Sequence, residues 1–148
     1  MVSRVSSLEK TGLKFPDLSN KKTLVQASGD IVPGWNNKDI TYISLTVPGD
    51  GWIAVKAHAE NHESQDLGDP ENFVRRRITV KLNNSVIAEA DATSGEFKTH
   101  LEDTDCVMVP VKNGNIVSYG SDTNITTNMP SPNGYYNGVT ITWFGLLK

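Results

Sequence analysis

Few residues in this 148-residue chain are equipped for chemistry, and they are scattered. His58, Glu60 and His62 stand at alternate positions and are of the types that hold zinc. In an extended strand, however, residues four apart are separated by about 13 Å at roughly 3.3 Å per residue, too far for both imidazoles to reach one ion. No intrachain metal site and no cofactor are therefore expected. Arg75, Arg76 and Arg77 make the densest charge run. Guanidinium groups grip carboxylates and phosphates through paired N–H bonds, so this run is a candidate binding site for a small anion. The competing reading is a solvated face neutralised by Asp66, Asp69 and Glu71.

Trp35, Tyr135 and Tyr136 fall in loop-like contexts, where an aromatic ring contacts sugar or protein or fills an interface. Cys106 lies in a strand pattern, where a buried thiol is inert. Glu102 and Asp103 read as a pair of loop acids of the kind any β-protein carries. The chain holds no Gly-x-Ser-x-Gly elbow, no His-Glu-x-x-His and no phosphate loop. It is not expected to be an enzyme and no catalytic residue is assigned, although paired carboxylates leave a small carbohydrate-active enzyme as an alternative.

Composition narrows the partners. A net charge of −3 and a pI near 5.5 give no general attraction to phosphate backbones, so nucleic acid is not an expected partner. With 37% hydrophobic and 21% charged residues the chain has enough apolar surface to build a core. Its apolar runs fall far short of the roughly 20 residues that a membrane-spanning helix needs. Arg4, Glu9 and Lys10 stand where a secretory signal would be apolar, so the chain is expected to be cytoplasmic when made or to be a piece of something longer. One cysteine excludes an intrachain disulfide.

The elements that must position these residues are strands. Apolar residues recur at every second position, and Gly, Asn, Asp and Pro punctuate the gaps. Ile43, Leu45 and Val47 share one face of a strand that ends at the turn Pro48-Gly-Asp-Gly51. The next strand puts Ile53, Val55, Ala57 and Ala59 on one face and Trp52, Ala54, Lys56 and His58 on the other, and the two strands read as a hairpin. Further strands are expected at Arg77 to Leu82, Val86 to Ala92, Cys106 to Val111, Asn115 to Tyr119, Val139 to Leu147 and, more weakly, Lys22 to Ser28 and Gly29 to Trp35. Eight or nine strands suffice for two packed sheets. Asn83-Asn84 and Lys112-Asn113-Gly114-Asn115 suit tight hairpin turns, while His62 to Val74 and Asp122 to Asn137 read as long loops. Met1, Val5 and Leu8 have heptad-like spacing that Gly12 ends, so residues 1–20 are expected to be a helical stalk remnant or linker and 21–148 a single β-domain.

Four segments in order carry a family resemblance. Ser44 to Lys56 resembles the strand, Pro-Gly turn and apolar strand of complement-type globular heads and their tumour-necrosis-factor relatives. Val80 to Ile87 resembles their mid-domain hairpin, Val107 to Val117 their apolar strand and basic-Gly-polar turn, and Thr140 to Leu147 their closing aromatic-Gly-Leu-Leu strand. Those proteins are trimeric jelly rolls, and the Ser, Thr and Asn on exposed strand positions are also similar to the knobs of bacteriophage tail needles and tail fibres. The resemblance implies an all-β, two-sheet antiparallel jelly-roll sandwich, a homotrimer with Trp52, Ala54, Lys56 and His58 lining its axis. It also implies a place in the virion tail, contacting a bacterial surface glycan or outer-membrane receptor. A free-standing complement- or cytokine-like binding module is the alternative role.

Overall fold

The backbone follows the alternation of the sequence. The computed structural model describes residues 14–28, 42–62, 74–94, 100–125 and 135–148. These form eight strands: β1 (Pro16–Ser28), β2 (Ile43–Thr46), β3 (Gly51–His62), β4 (Val74–Leu82), β5 (Ser85–Ser94), β6 (His100–Val111), β7 (Ile116–Ile125) and β8 (Tyr135–Leu146). No helix occurs among the described residues. The heptad-like segment before Gly12 and the weak strand candidate Gly29 to Trp35 lie outside them. β1 begins at Pro16, within the stretch expected as linker.

Two four-stranded sheets result, ordered β1-β8-β3-β6 and β2-β7-β4-β5. The antiparallel pairs are nested: first with eighth, second with seventh, third with sixth, fourth with fifth. That nesting is the jelly-roll order, a long folded ribbon rolled into two facing sheets. The expected two-sheet sandwich is therefore present.

One sequence expectation is overturned. β2 and β3 are not a hairpin, because β2 pairs with β7 while β3 lies between β8 and β6 in the opposite sheet. Pro48-Gly-Asp-Gly51 is a crossing between sheets, and its polar groups are satisfied from elsewhere. Val47 N–H donates to Asn115 O at 2.8 Å and Gly114 N–H to Val47 O at 3.2 Å. Asn113 N–H donates to Asp50 Oδ1 at 2.8 Å and the Trp143 indole to Gly49 O at 3.0 Å. Alternation reads alike in a hairpin and in a crossing, so periodicity cannot separate them.

The turn chemistry fares better. Asn83 and Asn84 adopt φ of 49° and 68°, the pair of left-handed residues that a tight hairpin between β4 and β5 requires. The turn at Lys112–Asn115 is tight as well, with Gly114 at φ 86°, but it links strands of different sheets. Strands also run further than their apolar cores suggest. β6 starts at His100 and β7 ends at Ile125, so Glu102 and Asp103 are strand residues and not loop acids, and Asp122 to Asn137 is strand at both its ends.

Inward residues fill the sandwich. Ile53, Val55, Ala57 and Ala59 of β3 are at most 2% exposed and face Ile78 and Val80 of β4 and Ala88, Ala90 and Ala92 of β5 across the core. At the corner where β5 meets β6 the inward residues are small. Ala57 and Ala59 pair with Asp105 and Asp103, and these two carboxylates reach the other sheet. Asp91 N–H donates to Asp103 Oδ2 at 2.8 Å, and Glu89 N–H to Asp105 Oδ2 at 3.0 Å. Two donors on the open edge of β5 are thereby satisfied, where an unpaired edge would invite another chain.

Asp103→Ala is expected to lower stability by about 1.5–3 kcal/mol, the range for a hydrogen bond to a charged group. Asp105→Ala should cost less, because its donor is exposed to water. Urea unfolding measures both, and an unshifted midpoint in the double variant would refute the edge closure. Gly51→Ala is a second check. A Cβ there runs into the carbonyl oxygen of Phe144, a backbone atom that cannot step aside. A loss of about 1–3 kcal/mol is expected from overpacking, and wild-type stability in that variant would contradict the close approach.

Candidate functional site

Because β3 is interior to its sheet and its odd residues fill the core, its even residues form the middle of the sheet's outer face. Trp52, Ala54, Lys56 and His58 are brought together there as the alternation predicts. On the same rungs β6 contributes Pro110, Met108, Cys106 and Thr104, and β8 contributes Phe144, Thr142, Thr140 and Gly138. The centre is a shallow groove of about 450 Å³ lined by Ala54, Lys56, Cys106, Met108, Thr140 and Thr142. Met108 is 42% exposed, a large apolar side chain beside Ala54, Cys106 and Thr142. Trp52 is half-buried, its indole N–H donating to Lys14 O at 2.6 Å.

Cys106 corrects a further expectation. It is exposed in this groove opposite Lys56, and not buried. The inward positions of β6 are the odd ones, which include the edge-closing Asp103 and Asp105, so the thiol is left on the outer side.

The far end of the face is polar. His58 Nε2 lies 2.8 Å from Glu60 Oε1, and Nδ1 lies 2.6 Å from Thr104 Oγ1. Glu102 of β6 stands on the rung of Glu60, and one ligand atom from each of His58, Glu60 and Glu102 falls within 4.8 Å of the others. Spacing along the chain places His58 with His62 on one strand. The partner that matters lies across the ladder, on a strand of register not readable from spacing.

The arginine run lies elsewhere. Arg75, Arg76 and Arg77 belong to β4, in the opposite sheet, so they and the face around Lys56 are separate surfaces. Arg77 is half-buried and its rung holds Asp91 on one side and Asp122 on the other. The acids nearest in register therefore come from neighbouring strands. The side chains of Arg75 and Arg76, and the stretch with Asp66, Asp69 and Glu71, lie outside the described residues, as does Trp35. Tyr135 and Tyr136 open β8 and are not in a loop, which corrects another expectation.

No family model matches the chain, and no curated protein matches it in sequence. Several solved structures align with part of it. The globular domain of a zebrafish complement 1qA protein shares 10% identity, with 71% of this chain and 70% of that chain covered and a TM-score of 0.42. Murine APRIL at pH 5.0 shares 11% identity over 66% and 71% of the two chains, with a TM-score of 0.38. The Eiger TNF of S. frugiperda shares 11% identity over 86% and 88%, with a TM-score of 0.37. The jelly-roll assignment rests on the nested strand pairs.

Proposed function

We propose that this domain is a non-enzymatic, homotrimeric β-knob that contacts a bacterial surface, at the tip of a bacteriophage tail needle or tail fibre. The observation that carries self-association is the outer face of the β1-β8-β3-β6 sheet. Its centre joins small residues to the exposed Met108 and half-buried Trp52 and Phe144. Apolar area left in water costs roughly 25 cal/mol per Å², a cost that burial against another surface recovers. A second copy of the chain is taken as the occupant from the sequence resemblance to trimeric jelly rolls. Three copies and the virion role rest on the sequence resemblance to trimeric knobs. In this reading the protein is made in the host cytoplasm and carried in the virion tail, and its receptor is a surface glycan or outer-membrane protein.

The arginine run serves this reading as the contact for acidic groups, on a sheet that self-association leaves open. Arg75 and Arg77 lie two residues apart on β4, and guanidinium groups bind carboxylates and phosphates through paired N–H bonds. Each bidentate contact contributes about 1.5–3 kcal/mol, and two or three together reach the millimolar range of about −4 kcal/mol.

Sedimentation should give a species of three times the 16.2 kDa chain mass at tens of micromolar, and Ala54→Arg or Met108→Glu should give folded monomer. A wild-type protein that stays monomeric refutes the trimer. Calorimetry with glutamate and inorganic phosphate should show binding that Arg75→Glu and Arg77→Glu abolish without loss of the β-sheet spectrum. Equal affinity in wild type and variants, or none in either, reduces the run to a solvated face.

A further inference from the structure

All three histidines of the chain fall on one ladder. His58 pairs with Thr104, and four residues along β3 the backbone pairs His62 with His100. Between those rungs lies Glu60 opposite Glu102. Histidine and glutamate positions thus occupy neighbouring rungs along β6, the edge strand of its sheet. We propose that His58, Glu60 and Glu102 bind a divalent transition-metal ion of the zinc type.

The geometry suits the assignment. Bonds of about 2.0–2.2 Å to a four-coordinate ion set its ligand atoms roughly 3.3–3.6 Å apart. The three ligand atoms already lie within 4.8 Å of one another, and Glu102, at the exposed edge, closes the difference by a side-chain rotation. His58 is oriented from its far side. Its Nδ1 is 2.6 Å from the Thr104 hydroxyl, which can donate or accept. When Nε2–H donates to Glu60 at 2.8 Å, the hydroxyl donates to Nδ1. When Nε2 gives its lone pair to a metal, the proton sits on Nδ1 and the same hydroxyl accepts it. A metal ion thus replaces the proton between His58 and Glu60, and Thr104 holds the ring in either form, as outer partners of metal-bound histidines do.

The donor set selects the ion. One imidazole nitrogen with two carboxylates suits zinc and its neighbours, whereas calcium asks for six to eight oxygens and magnesium for an octahedron of them. The three protein ligands leave a fourth position open to water or to a group from outside. The site draws on a single chain and does not depend on self-association.

Titration of the full chain with zinc chloride near neutral pH, followed by calorimetry and by cobalt(II) absorption, tests the proposal. One ion per chain is expected, with the cobalt spectrum of a low-coordinate nitrogen and oxygen site and no comparable binding of calcium or magnesium. Thr104→Ala should weaken zinc by about 10- to 100-fold. His58→Ala and Glu102→Gln should weaken it by more, with the β-sheet spectrum retained in the absence of metal. The proposal is overturned by absence of zinc binding, by a preference for calcium, by full affinity in His58→Ala, or by a loss found in His62→Ala/His100→Ala and not in His58→Ala.

Discussion

The constraint on which the rest of the structure depends is the position of β3 between two hydrogen-bonded neighbours. Its backbone is committed to β8 on one side and β6 on the other, so it can differ from other strands only in its side chains. The odd residues fill the core and the even ones face out. A slip of one residue would send Ile53, Val55, Ala57 and Ala59 into water and bury Lys56 and His58. Burying a lysine unpaired costs far more than any turn preference offers, so the register of the whole sheet is set from its middle. The outer face is then a consequence of the core.

A second constraint follows from the nesting of the strand pairs. Except for β4 and β5, each strand is followed along the chain by one from the opposite sheet. Crossings need their own hydrogen-bond partners, and here they borrow from one another: the turn at Lys112–Asn115 supplies those of Val47 and Asp50. The edges need cover too. Alanines on β3 and β5 narrow the sandwich at one corner until Asp103 and Asp105 can reach the backbone of β5. A larger residue at either alanine row would hold the sheets apart and leave those carboxylates without their donors.

The candidate surfaces divide between the sheets. One sheet carries the groove and the His58 cluster, the other the arginine run, and the core lies between them. Contacts between copies and contacts with a charged ligand thus need not compete for the same residues. Within the first face, the groove and the polar cluster adjoin because successive outward rungs of β3 lie about 6.6 Å apart, so the Lys56–Cys106 rung of the groove is next to the His58–Thr104 rung of the cluster.

What the sequence determined by itself was whatever depends on neighbours along the chain. Alternation identified the strands and assigned both faces of β3, and paired asparagines identified the hairpin turn, since backbone φ is a local property. The all-β class followed from the same patterns. Partners across strands were decided only by the tertiary structure. Whether Pro48-Gly-Asp-Gly51 reverses or crosses, whether Cys106 faces in or out, and which acids stand beside Arg77 all turn on pairing between distant segments. The approach of Glu102 to His58 is of the same kind: more than 40 residues apart in sequence, they meet because two extended strands share a register fixed by the core beneath them.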